Sequence, residues 1–154
     1  MPVRSAGLLL FRRSAAGLEV LVVHPGGPFW AKKDLGAWSV PKGEYGDDED
    51  PVRAARREFA EELGTDPPDG ELLELGEVRL KSGKVVLAWA IEGDLDTTSI
   101  ESNTFEVEWP PRSGRRQEFP EVDQAEWFAP EEARQRLNPA QAVFVDRLEA
   151  LLAC

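Results

Sequence analysis

Residues 43–65 read GEYGDDEDPVRAARREFAEELGT. Between Glu44 and Glu62 this stretch holds eight acids against three arginines, and Glu61 and Glu62 stand side by side just ahead of Gly64. Asp50 suits a helix N-cap, Pro51 the first helical position and Gly64 the stop, so residues 51–63 are predicted to be helical. Val52, Ala55, Phe59 and Leu63 recur at spacings of three and four and give that helix its core stripe. Glu58, Glu61 and Glu62 fall within an arc of about 100°, offset from the stripe. Ala54, one turn earlier on that arc, leaves room beside them. Three carboxylates thus converge where a helix end already carries roughly half a negative charge, and like charges at these spacings repel.

Two readings fit that patch. The glutamates are solvated on an exposed face, or a hard divalent cation lies among them. Carboxylate oxygens are the natural ligands of Mg²⁺ and Mn²⁺, which also hold substrate phosphates. A cation there would offset both the mutual repulsion and the helix-end penalty. Other metal and phosphate chemistries are excluded by residue type. The run DDEDPVRAARRE lacks the glycine of an EF-hand loop and puts Pro51 where a ligand belongs. No GxxxxGK[ST] run exists, so a P-loop is absent. His24 is the only histidine and Cys154 the only cysteine, which leaves no zinc ligand set. His24, closing an apolar run, reads as structural.

Upstream, VRSAGLLLF (3–11) and LEVLVVH (18–24) read as two buried strands of a hairpin around RRSAAG. PGGPFWAKKDLGA (25–37) is loop, and WSVPKGE (38–44) a short strand that stops at Pro41 and Gly43. Downstream, ELLELGEVRL (71–80) and KVVLAWAIE (84–92) form a second hairpin. The stretch from Gly93 to Asp123 reads as long and irregular, with TFEVEW as one short strand; loops of that size are usually functional or mobile. AEWFA (125–129) is the last strand, and PEEARQRL and PAQAVFVDRLEALLA are helices. The order predicts one domain over residues 1–154, a mixed sheet with helices on both sides. Trp38, Trp89 and Trp127 belong to strand patterns and to the core, whereas Trp30 and Trp109 lie in loops where either could stack on a base.

The chain of 154 residues suffices for a single proper core. One cysteine excludes an intramolecular disulfide and fits a reducing compartment; Cys154 reads as an exposed tail thiol. No apolar run approaches the ~18 residues of a membrane span, and MPVRSAGLLLFRR reads as a strand rather than a signal peptide. A cytoplasmic protein is expected. With a net charge of -11 it should repel bulk nucleic acid and anionic membranes. Nothing in the sequence separates monomer from homodimer.

Taken together, residues 43–65 resemble the Nudix box, Gly-x5-Glu-x7-Arg-Glu-U-x-Glu-Glu-x-Gly-U, where U is a bulky aliphatic. Gly43, Glu49, Arg57, Glu58, Phe59, Glu61, Glu62 and Gly64 occupy its fixed places. Phe59 is aromatic and Thr65 less apolar than usual, and neither departure removes a ligand. The resemblance implies a Nudix-type α/β/α sandwich with a mixed central sheet. It also implies a hydrolase that uses Mg²⁺ or Mn²⁺ to cleave a pyrophosphate bond in a nucleoside diphosphate linked to another group. By similarity, Glu61 and Glu62 would be metal ligands, helped by a main-chain carbonyl near Lys42 or Gly43. Glu58 would be a further ligand or the base that deprotonates the attacking water, and Arg57 would hold the loop by pairing with Glu49.

The family often takes another carboxylate from outside the box. SGRRQEFPEVD offers Glu118, Glu121 and Asp123, with Glu118 the first choice and Glu121 the second. Arg112, Arg115 and Arg116 in that loop, with Lys32, Lys33, Lys42 and Trp30, are expected to contact the substrate's outer phosphates and base. SAGLLLFRR followed by WSVPKGE is similar to the small asymmetric dinucleoside tetraphosphate hydrolases among Nudix proteins. The tyrosine often found 16–18 residues beyond the box in that group is missing, since Tyr45 is the chain's only tyrosine. Diadenosine tetraphosphate, cut to ATP and AMP, is the first expected substrate. A nucleoside triphosphate, a nucleotide sugar, or a non-catalytic sensor that only binds nucleotide are the alternatives.

Overall fold

The structure, a computed structural model, describes residues 3–153; the tail thiol of Cys154 lies outside them. The branched and aromatic runs at the N-terminus form the hairpin β1 (Arg4–Ser14) and β2 (Gly17–Pro25). There follow β3 (Lys42–Glu44), α1 (Pro51–Leu63), β4 (Leu73–Arg79), β5 (Val85–Glu92), β6 (Thr104–Glu108), β7 (Arg116–Pro120), β8 (Val122–Phe128), α2 (Pro130–Arg136) and α3 (Ala142–Leu152). The main sheet runs β4-β5-β1-β2-β8, with β3 paired to β1. Only the β1–β5 pairing is parallel, so the sheet is mixed.

Alternation along the two central strands divides the core into two layers. Ala6, Leu8, Leu10, Leu21 and Val23 pack with Ala54, Ala55, Phe59 and Leu63 of α1. Leu9, Phe11, Val20 and Val22 pack on the opposite face with Ala133 and Leu137, and with Phe144, Val145 and Leu148 of α3. This is the expected α/β/α sandwich. Among the described residues no helix is long and apolar enough to cross a membrane.

Three features differ from the sequence expectation. Residues 38–44 are not one continuous strand: Trp38 and Ser39 make single bridges to Leu137 and Val23, and only Lys42–Glu44 forms a strand. Pro41 has no N–H to continue a ladder. The stretch expected to be irregular holds two strands, β6 and β7, paired as a ribbon with Phe105 opposite Phe119. In α1, Val52 is only half-buried, whereas Ala54 and Glu58 are buried, so the core face is turned toward the acidic arc. β3 lies against that arc.

Candidate active site

The helix α1 is fixed at both ends. The Asp50 carboxylate accepts from Arg53 N at 3.1 Å, and Gly64 closes the last turn at φ 76°, a left-handed conformation that glycine takes without strain. The C-terminal carbonyls are not left to repel the acids. Glu101 N donates to Leu63 O (3.1 Å) and Asn103 N to Glu61 O (2.8 Å), so the root of the β6–β7 ribbon satisfies the helix end.

Across from α1, β3 is held on β1 by Ala6 opposite Gly43 and Gly7 opposite Lys42. Lys42 N donates to Glu62 Oε1 at 3.2 Å. Gly43 rests directly on the Glu58 carboxylate, and a Cβ built there would overlap Glu58 Cδ and both oxygens. The third residue of this cluster's frame is Arg57. Its Nε and Nη2 grip Glu49 at 3.0 Å each, the bidentate geometry that a guanidinium suits. Its Nη1 donates to Glu58 Oε1 at 2.8 Å and reaches Glu61 Oε1 at 3.4 Å. Arg57 thus restrains the loop through Glu49 and also sits on two of the acids.

Burial and mutual repulsion both act on these carboxylates. Burial, then the charge of Glu61, raises the Glu58 pKa against the pull of Arg57. Burial pushes Glu62 up to about 8, with Lys42 opposing and Glu58 and Glu121 adding to it. Lys42 is driven the other way, its ammonium disfavoured by burial. Glu121 is raised by burial and by Glu61. Desolvation and like charge are the two causes that favour the proton-bound carboxyl.

Glu121 is therefore the acid from outside the box that shares this field. It stands at the root of the ribbon, its N–H on Asn103 O (2.8 Å) and its carbonyl accepting from Gly26 N (2.9 Å). Glu118, the first choice from the sequence, is not brought to the cluster. It is exposed on β7 opposite Glu106, on the ribbon face away from Phe105 and Phe119. Asp123, the third acid of that segment, binds His24 Nδ1 at 2.8 Å instead. Alternation in RQEFP, with Phe119 inward, was the signal that would have turned Glu118 outward.

Of the expected substrate contacts, Lys42 lies within the carboxylate cluster beside Glu62, and the others separate into two groups. Lys32 and Lys33 line a cleft of about 660 Å³ with Trp38, Asp123 and Arg136 on the α2 side of the sheet. The Lys33 ammonium stands 5.0 Å from the centre of the Trp30 ring, and Trp30 is 39% exposed. His24 is buried under this cleft, its Nε2 2.6 Å from Lys33 O and its ring edge against Trp38, as a structural histidine should be. Arg112, Arg115 and Arg116 lie exposed around the ribbon tip, and their guanidinium groups make no ion pair among the described residues. Arg116 is five residues from Glu121, roughly 16 Å along an extended strand, so the tip arginines are not part of the carboxylate cluster. Trp109 packs edge-on against Phe29, with ring centres 5.5 Å apart.

The donor set fits a hard divalent cation. Carboxylate oxygens are its usual ligands, and Glu58, Glu62 and Glu121 are raised first by burial and then by one another's charge, both of which a cation would offset. Among the described residues no three acidic or histidine side chains already converge on one point; Arg57 donates to Glu58 and Glu61, and Lys42 N to Glu62.

Comparison with solved structures places the fold among known ones. The chain is similar to the Ap4A hydrolase of C. elegans in a binary complex (TM-score 0.69, 20% identity, 97% of this chain and 98% of that one). It is also similar to the NUDIX domain of Shewanella oneidensis NrtR complexed with ADP ribose (TM-score 0.65, 16% identity, 99% and 89%). The MutT protein from Methanosarcina mazei Go1 shares the fold as well (TM-score 0.63, 19% identity, 99% and 97%). No curated protein matches the sequence. The family model of the NUDIX domain matches residues 1–148. With the acids and glycines of the box all in place, the chain belongs to the Nudix family and is a hydrolase acting on phosphorus-containing acid anhydrides.

Proposed function

We propose that the chain hydrolyses diadenosine tetraphosphate asymmetrically to ATP and AMP, with Mg²⁺ or Mn²⁺ held by Glu58, Glu61 and Glu62. Glu121 and a main-chain carbonyl of Lys42 or Gly43 complete the set. The observation that supports the metal site is the close approach of Gly43 and Lys42 N onto Glu58 and Glu62, whose pKa values are both raised. What supports the substrate is the likeness of SAGLLLFRR and WSVPKGE to the asymmetric dinucleoside tetraphosphate hydrolases, with the fold shared with the C. elegans Ap4A hydrolase. The metal would neutralise the phosphate oxygens and lower the pKa of bound water.

The protein's own groups account for the remaining steps. Glu58, its pKa raised by burial and by the charge of Glu61, takes the proton of the attacking water. The water oxygen bonds to phosphorus as the bridging P–O bond breaks, and the leaving nucleotide departs with that oxygen. Arg57 keeps Glu58 oriented through Nη1 while Glu49 fixes the guanidinium. Lys32 and Lys33 beside the cleft, and the ribbon arginines, supply cations for phosphates beyond the scissile pair. Trp30 offers an exposed ring for a base.

The test is a panel of diadenosine tetraphosphate, the four dNTPs and ADP-ribose, each with Mg²⁺ or Mn²⁺, with products separated by ion exchange. Equal ATP and AMP from the first substrate supports the proposal. Two molecules of ADP would contradict the asymmetric cut, and turnover of dNTPs or ADP-ribose alone would replace the substrate. Nucleotide binding with no turnover of any substrate would leave a sensor domain.

A further inference from the structure

The segment Trp38–Lys42 carries the chain onto the carboxylate cluster, and its backbone polar groups can be traced one by one. Trp38 N donates to Arg136 O (2.9 Å) and Trp38 O accepts from Asn138 N (2.8 Å). Ser39 exchanges both of its groups with Val23, at 2.9 and 2.8 Å. Pro41 O accepts from Leu8 N at 3.1 Å, and Lys42 N donates to Glu62. Val40 N, like Lys42 N, finds its acceptor on a side chain rather than on the main chain. It donates to the side chain of Gln141, Oε1 at 2.9 Å, and Gln141 Nε2 in turn donates to Ser39 Oγ at 3.1 Å.

Gln141 is 1% exposed, one of the few buried polar side chains among the described residues. It stands at the N-cap of α3 but does not cap that helix. Its amide instead extends the short Trp38–Leu137 bridge by one more rung, from the helical layer opposite α1. A buried amide N–H must be paired, so an amide side chain at this point has a specific backbone task. Two residues beyond Val40, the same backbone meets Glu62 through Lys42 N and Glu58 through Gly43.

We propose that Gln141 is a positioning residue for the hydrolase: through Val40 and Ser39 it fixes the height of Lys42 and Gly43 over Glu58 and Glu62. This rests on the proposal that those glutamates hold the metal. Gln141 touches neither substrate nor metal, and its influence runs through two peptide units.

The test compares Gln141→Met, which keeps the volume and loses the acceptor, with Gln141→Glu, which keeps an oxygen for Val40 N. Val145→Ala, buried in the same layer through α3, controls for general loosening. Mn²⁺ affinity of the nucleotide-free protein is read by electron paramagnetic resonance, beside kcat, KM and the unfolding midpoint. Gln141→Met is expected to weaken Mn²⁺ binding and lower kcat by about tenfold each, with KM within about twofold, as loss of a partner behind a ligand does. Gln141→Glu should recover most of both, and Val145→Ala should lower the midpoint alone. Unchanged Mn²⁺ affinity and kcat in Gln141→Met overturn the inference, as does an equal loss in Val145→Ala. Should Gln141→Met not fold, Ser39→Ala, which removes the hydroxyl beneath Nε2, must show the same pattern at smaller size. Wild-type protein that binds no Mn²⁺ overturns the metal site itself, a result distinct from normal binding in every variant.

Discussion

Gly43 and Glu58 occupy one another's space so closely that a single methyl group on Gly43 would overlap the Glu58 carboxyl carbon and both its oxygens. A glycine is needed there for close approach and not for an unusual backbone angle. Gly43→Ala should therefore push Glu58 off its bond with Arg57 and lower kcat by about 100-fold, since supporting contacts of this kind carry such factors. The overpacking should also cost about 1–3 kcal/mol of stability, readable in a urea titration. Unchanged turnover in a folded Gly43→Ala protein would show that Glu58 need not sit where it does.

Glu62 links stability and activity with opposite signs. Its carboxylate is buried beside Glu58 and Glu121, and its pKa is pushed up to about 8. Glu62→Gln removes the charge and keeps the shape, so the metal-free protein should melt several degrees higher at pH 8 while turnover disappears. In a chain of this size each kcal/mol moves the midpoint by about 2–4 °C. A lower midpoint would mean that Glu62 is stabilising even without a cation.

The pH dependence of the metal-free protein follows from the same groups. Glu58, Glu62 and Glu121 have folded pKa values above their unfolded ones, so between about pH 5 and pH 7.5 the native state binds more protons than the unfolded chain. Stability should be fullest near pH 5 and fall as pH rises through that window. Asp34, Glu92, Asp94 and Asp96 are lowered, and their contribution is lost only below it. Mn²⁺ added at pH 7.5 should restore the midpoint. Melting curves by circular dichroism across this range, with and without Mn²⁺, decide it; a midpoint that rises with pH in metal-free protein contradicts the sign.

Arg57→Lys keeps the charge and loses the two-pronged grip on Glu49. Lysine cannot hold Glu49 at two points and Glu58 at a third. Because the pair is partly exposed, the stability loss should be small, about 0–1 kcal/mol. The loss should appear in kcat, by about tenfold, with Glu58 released from its orientation. Steady-state kinetics beside a melting curve separate the two effects.

The ribbon arginines should act on long polyphosphates more than on short ones. Replacing Arg112, Arg115 and Arg116 with alanine is expected to raise KM for diadenosine tetraphosphate by about tenfold, with kcat little changed, the pattern of binding lost equally from ground and transition states. KM for any nucleoside triphosphate that is also turned over should move less. Equal effects on both would remove the ribbon from substrate recognition.

The box was legible because its chemistry is local. Asp50, Pro51 and Gly64 mark the ends of α1 by rules that act within one turn, and the spacing of Glu58, Glu61 and Glu62 follows from helical geometry alone. The two core layers were likewise legible, since alternation along β1 and β2 assigns each residue to a face. What the sequence concealed depends on distant pairing. Glu118 and Glu121 are three residues apart; alternation around Phe119 turns Glu118 outward, but only the pairing at the root of the ribbon leaves Glu121 near Glu61. Gln141 lies about a hundred residues from Val40, and no periodicity marks a single buried amide. The inward turn of Glu58 could not be read from the helix either, because its burial comes from β3 packing over it.

The most direct measurement is a calorimetric titration of Mn²⁺ into metal-free wild-type protein at pH 7.5, repeated with Glu62→Gln and with Glu118→Gln. The account predicts saturable binding in the wild type, its loss in Glu62→Gln, and its retention in Glu118→Gln, whose side chain lies on the outer face of the ribbon. Wild-type protein that takes up no Mn²⁺, or Glu62→Gln that binds it as well as the wild type does, would contradict the claim that these glutamates are gathered to hold a cation.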